Sequence, residues 1–295
     1  MLAELTLALS LTMPLPGTGV TYLDKTGDPV RVVAYGLGTK SVYLRNRDGT
    51  AFTQQKGVEE AALSPDGRAV AAVAGSYRSG YDELLLTDRG TGAVRRIRTV
   101  KQPLTASYAS WSRDSAKVAL TVERKDGGKW RSTGFAVVDV KTGSTSTVTL
   151  TGVDSGTTFW WNPDGNLVAR YGTGLRVYRP SDGAVVSTQP GLGRPTGPER
   201  SYSPSGKRLA TWCPSQFKEQ LCVVDPAKGT ITRRVAAQPV ALFGWWDEDH
   251  VIAATAYRGA YRLSVLDLNG KSTRVLAAVT RKTWDGGFWV AFARN

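Results

Sequence analysis

One short phrase recurs along the chain and limits the folds open to it. It reads Leu63-Ser-Pro-Asp-Gly67, Trp111-Ser-Arg-Asp-Ser115, Trp161-Asn-Pro-Asp-Gly165 and Tyr202-Ser-Pro-Ser-Gly206. Weaker copies stand at Leu23-Asp-Lys-Thr-Gly27, Trp246-Asp-Glu-Asp-His250 and Trp284-Asp-Gly-Gly287. Pro presets φ, Asp bonds back to the chain and Gly accepts positive φ, so each phrase is a tight turn. An apolar stretch follows each clear copy, such as 69–74, 117–122 and 167–171. A second apolar strand then ends in a polar turn, as in Leu84–Asp88, Phe135–Asp139, Leu221–Asp225 and Leu263–Asp267. Val42–Asn46 and Leu175–Arg179 fill the same slot.

The steps from Ser64 to Ser112, Asn162, Ser203 and Asp247 are 48, 50, 41 and 44 residues. That is room for four short strands per repeat, the size of one propeller blade. No long segment keeps a 3.6-residue period, so the chain is expected to be an all-β propeller of four-stranded blades. Seven turn phrases and a quotient of about 42 residues per blade favour seven blades. Six blades, with the end strands patched onto an existing blade, is the alternative. In the seven-blade form the closing blade is composite: Trp284–Ala293 supplies its first half and the N-terminal strand its outer part.

That N-terminal strand is read from alternation. Leu5, Leu7, Leu9, Leu11 and Met13 alternate with small or polar residues, the period of a half-buried strand. A secretory leader is disfavoured because no basic region precedes the apolar residues and Glu4 lies among them. The expected organisation is residues 1–18 as a strand helping to close the ring and 19–295 as the propeller, together one domain.

Leu63–Ala72 and Trp161–Ala169 resemble the WD40-like, TolB-type (PD40) β-propeller repeat, and the resemblance covers nearly all of 19–295. Its pattern is an aromatic, Ser-Pro-Asp-Gly, a short apolar strand, then an apolar strand ending in Asp with a Gly turn. No blade has both the Gly-His pair and the Trp-Asp ending of a true WD40 repeat. The resemblance implies a mostly non-catalytic, partner-holding propeller, often extracytoplasmic: cell-surface or secreted. With no export signal in the chain, a cytoplasmic location stays open.

Composition narrows the chemistry. One His and two Cys exclude most multi-ligand zinc, haem and iron–sulfur sites, so no metal or cofactor is expected. There is no Gly-x-Ser-x-Gly elbow, phosphate loop or His-Glu-x-x-His. Gly172-Thr-Gly174 and Gly191-Leu-Gly193 open no helix, and 191–200, with Pro195 and Pro198, reads as a linker between blades. His250 with Asp247 or Asp249 is the one candidate acid–base or cation-binding group, ranked below a plain turn. Cys213 and Cys222 share one hairpin and are either a disulfide or two buried thiols. Trp111, Trp161, Trp246 and Trp284 share the slot before the turn and are expected to pack between blades, a stacking platform being the alternative.

The loops joining second to third strands should project from one rim. Four of them pair an aromatic with a cation: Tyr77-Arg78, Trp130-Arg131, Phe217-Lys218 and Tyr257-Arg258. Aromatic plus Arg is the composition of binding hot spots. The chain carries 38 Lys+Arg against 25 Asp+Glu, a net charge of +13. Part of this sits on outer strands (Arg95, Arg96, Arg98, Lys101, Arg233, Arg234), where charge blocks edge pairing. The leading expectation is a monomeric, non-catalytic propeller presenting this rim to a protein or an anionic polymer. A carbohydrate or other small ligand in the central channel is second, and a hydrolase or lactonase of the His250 type last. Nucleic acid is disfavoured because no recognition helix or RNA-binding signature is present. No apolar run approaches the 20 residues of a membrane-spanning helix.

Overall fold

The structure, a computed structural model, describes residues 10–38, 41–196 and 201–294. Its building block follows from the turn phrase. In the first clear copy Gly67 N–H donates to the Ser64 carbonyl (2.9 Å), and Asp66 accepts from the Ser64 hydroxyl (2.6 Å) and Arg68 N–H (3.0 Å). Gly67 sits at φ +71°, and Ser115 takes the equivalent place at +59° without being glycine. That left-handed conformation costs an L-residue about 1–2 kcal/mol. Two strands therefore leave each turn antiparallel, and a third and fourth follow by further hairpins.

Six such units form the ring. Blade two is Val58–Leu63, Ala69–Ala74, Tyr81–Asp88 and Val94–Lys101; blade three is Leu104–Trp111, Lys117–Asp126, Lys129–Asp139 and Thr145–Thr149. Blade four is Trp160–Trp161, Leu167–Tyr171, Gly174–Tyr178 and Val185–Gln189; blade five is Arg194–Pro195, Leu209–Trp212, Leu221–Asp225 and Thr230–Val235. Blade six, Ala241–Trp245, His250–Tyr257, Ala260–Asp267 and Ser272–Val279, is extended outward by Val20–Lys25 and Ser10–Leu15 into a six-stranded sheet. Blade one is composite: Phe288–Arg294 lies beside Val30–Leu37, followed by Ser41–Arg45 and Phe52–Gln55.

The expected seven blades are thus corrected to six. Trp284 lies in a helical turn, Arg281–Asp285, its ring tilted against Tyr261 with centres 4.7 Å apart, and not in a blade turn. Leu23–Gly27 leads from the added hairpin into blade one. Counting both as blade turns adds one blade too many. The ring closes through Phe288–Arg294, paired from Phe288↔Leu37 to Arg294↔Val30. The N-terminal strand serves elsewhere: its hairpin partner reaches blade six through Tyr22↔Ala277. Leu5–Leu9 of the expected alternating strand lie outside the described residues.

The expected linker at 191–200 also changes in its described part, residues 197–200 lying outside the described residues. Arg194 and Pro195 pair with Trp212 and Thr211 as the inner strand of blade five. An inner strand has a neighbour on one side only, so a proline lacking its N–H is tolerated there.

The core is divided between blades. Six buried clusters are found among the described residues, each shared by two neighbouring blades; Ala62, Leu84, Leu120 and Val138, for instance, join blades two and three. Tryptophans lock three of these joints. Trp111 Nε1 donates to Ala62 O (2.9 Å), Trp161 to Ser110 O (3.0 Å) and Trp245 to Ser201 O (2.9 Å), each on the preceding blade's inner side. The slot in blade six therefore belongs to Trp245; Trp246 instead lies under Arg274, 5.3 Å away.

Candidate binding rim and central cavity

Antiparallel connection sends the turn phrases to one face of the ring and the loops between second and third strands to the other. The second face carries the four aromatic–cation loops. Tyr77 is exposed, with its hydroxyl donating to Leu104 O (3.0 Å). Arg78 is exposed and closes the turn with Tyr81, and the cation over the Tyr81 ring is Arg98, 5.0 Å from its centre. Trp130 is 46 % exposed near the tip of a long hairpin, with Lys125 at 5.9 Å; its neighbour Arg131 pairs instead with Asp126 (3.2 Å). Every residue from 124 to 131 is exposed, and the tip turns on Gly127 and Gly128 at φ +54° and +82°.

Phe217 lies under Arg234 (5.0 Å), which also pairs with Glu219 (3.6 Å), while Lys218 is exposed. Tyr257 stands between Arg258 (5.2 Å) and Arg262 (3.2 Å). Sequence adjacency named the ring that carries a cation in three of the four loops, Tyr81 replacing Tyr77 in the first. Arg98, Lys125, Arg234 and Arg262 reach their rings from across a hairpin, and of the adjacent cations Arg258 also lies over its ring. A fifth pair, Tyr171 with Arg176 at 3.2 Å, escaped the sequence reading. Its signal is shared with Tyr257 and Arg262: a tyrosine ending the second strand, a two-residue turn, and an arginine five positions on. Such a diagonal pair falls on one sheet face within reach of long side chains.

Beneath the Phe217 loop, Cys213 and Cys222 form a disulfide, with Cα atoms 5.0 Å apart. Exposed cations here include Lys101, Arg124, Lys129 and Arg194, while Asp82, Glu83 and Glu123 are buried. Burial raises the Glu123 carboxyl above the usual range, against a hydrogen bond from Ser107 (2.9 Å).

The turn face differs. Its carboxylates are consumed by the turns: Asp88 accepts from Gly90 N–H (2.7 Å) and Thr91 N–H (2.8 Å), and Asp139 from Thr142 N–H (2.8 Å). Those backbone bonds hold both carboxyls below the usual carboxylate range. His250 Nδ1 lies 2.9 Å from Asp247, but Asp249 is drawn to Arg208 (2.9 Å). The pair borders a cleft of about 460 Å³ with Lys25, Thr26, Trp246, Thr273 and Arg274.

Between the blades on this face is a central cavity of about 370 Å³. Trp111, Trp160, Trp161, Tyr202 and Phe292 form its walls, and Pro65, Pro163 and Pro204 come from the surrounding turns. Arg113 and Arg294 also line it, and Arg113 donates to the Pro204 carbonyl, two blades away. Trp160 borders a second cleft of about 200 Å³ as well, beside Arg170, Arg194 and Trp212. Among the described residues no group of three or more His, Cys, Asp or Glu is placed to hold a metal ion.

No family model matches this sequence. No curated protein matches it either. Solved structures do match in fold. TolB from Acinetobacter baumannii is 19 % identical, with TM-score 0.54 over 90 % of this chain and 67 % of that one. Oligogalacturonate lyase in complex with manganese is 15 % identical, with TM-score 0.57 over 90 % and 84 %. The β-propeller domain of the trilobed protease from Pyrococcus furiosus is 14 % identical, with TM-score 0.52 over 91 % and 85 %. These likenesses establish the β-propeller fold that the repeats implied.

Proposed function

We propose that the protein is a non-catalytic binding propeller that presents the aromatic–cation rim to an acidic protein surface or an anionic polymer. The observation that carries this reading is repetition: five of six blades place an aromatic ring beside a cation on the same face. A ring with a guanidinium over it offers an apolar surface and a charge together, and rigid blades hold the loops at low entropic cost. Among the similar folds, one is an oligogalacturonate lyase in complex with manganese, so the fold by itself is compatible with catalysis as well. The disulfide supports an oxidising, extracytoplasmic setting for this chain. No helix among the described residues is long and apolar enough to cross a membrane.

The test is retention on an immobilised polyanion, measured against salt, for Trp130→Ala, Arg131→Ala, Tyr257→Ala and Arg258→Ala combined. Retention is expected to fall at least about tenfold, with an unchanged melting temperature and a shallower salt slope. Equal retention by the variant would overturn the rim as the site. A small-ligand reading is favoured separately by the aromatic central cavity.

A further inference from the structure

The central cavity lies on the face opposite the rim, and its chemistry differs from the rim's. Its walls are aromatic and its volume of about 370 Å³ suits one small molecule rather than a polymer chain. Two features remain unbalanced. Trp111 and Trp161 spend their indole N–H groups on neighbouring blades, whereas the buried Trp160 Nε1 has no hydrogen-bond partner. A buried donor left unmet costs about 1–3 kcal/mol; this one is enclosed, so Trp160 offers the cavity its ring and not its N–H.

The second feature is charge. Arg113 and Arg294 line the same cavity, and neither has an ion-pair partner within 4.0 Å among the described residues. Both side chains are exposed at the cavity mouth; partial desolvation lowers the Arg294 guanidinium and Arg113 lowers it further, opposed by Glu248 and Asp247. Glu248 is itself bonded to the Ser205 N–H and hydroxyl. Two guanidiniums beside an apolar cavity are stabilised by an incoming anion, and guanidinium is well matched to carboxylate.

We propose that this cavity is a binding site for a small organic anion with a flat apolar body, an aromatic carboxylate. Arg113 and Arg294 take the carboxylate, and the ring lies against the tryptophan wall, releasing water from apolar surface.

Calorimetric titration of the intact protein with 2-naphthoate and with the neutral 2-naphthamide tests this. The acid is expected to bind at least about tenfold more tightly than the amide. Arg294→Gln should bring the two affinities together while leaving that for the amide unchanged. Because Arg113 also bonds to Pro204, Arg113→Lys is the variant of choice there; it should keep part of the preference. Equal binding of acid and amide, no binding of either, or an undiminished preference in Arg294→Gln would overturn the assignment. The rim variants should bind naphthoate as the unaltered protein does, which separates this site from the rim.

Discussion

At the scale of single residues, the blade joints depend on an indole donating to a carbonyl one blade away. Replacing Trp161 by Phe keeps most of the apolar contact and leaves the Ser110 carbonyl unmet. Thermal or denaturant unfolding should show a loss of about 1–2 kcal/mol for Trp161→Phe, and of about 3–5 kcal/mol for Trp161→Ala. No loss in Trp161→Phe would mean that packing alone matters at this joint, and equal losses for the two that the hydrogen bond alone does. The packing role of these tryptophans was readable, because an aromatic recurring before the tight turn of successive repeats has a neighbouring blade to meet. The exact residue in blade six was not. Two tryptophans stand in succession there, and a register shift between Leu242 and Gly244 sets which of them enters the slot. Such a shift depends on pairing with a strand that the local sequence does not reveal.

Elements carry the candidate rim. Each loop is held by the hairpin beneath it, and the loop of blade five has a covalent tie as well. The disulfide spans a sequence separation of 9, and short closed loops of this size contribute about 2–3 kcal/mol through the unfolded state. Reduction, or Cys213→Ser with Cys222→Ser, should therefore lower the melting temperature by several degrees without unfolding the ring. A melting temperature identical with and without reductant would contradict this. Pairing of the two cysteines was left open by sequence, since both a disulfide and two buried thiols fit one hairpin. The cation over each ring was obscured for a related reason. Arg176 and Arg262 reach their tyrosines across a two-residue turn, so register decides the partner.

For the whole molecule, the fold class was legible because turn chemistry repeats at blade length, whereas the blade number was not. Blade one lacks a turn phrase, being assembled from residues 288–294 and 30–55, and two turn-like phrases lie outside blade turns. Phe288, Val290 and Phe292 are buried in the joint that this assembly makes. Removing residues 288–294 forfeits on the order of 6 kcal/mol of burial, comparable to a domain's entire stability. The truncated chain should bind hydrophobic dye and lose its cooperative melt; a sharp transition at the full-length temperature would refute the closure.

This closure also orders events at the ribosome. Val30–Leu37 emerges early, yet the strand that covers its flank is the last described stretch to be made. At about 5–20 residues per second, the more than two hundred intervening residues take on the order of 10–50 s to synthesise. Throughout that interval the nascent chain exposes an unsealed strand edge, where a holdase chaperone would be needed most and where a neighbouring nascent chain could pair by mistake.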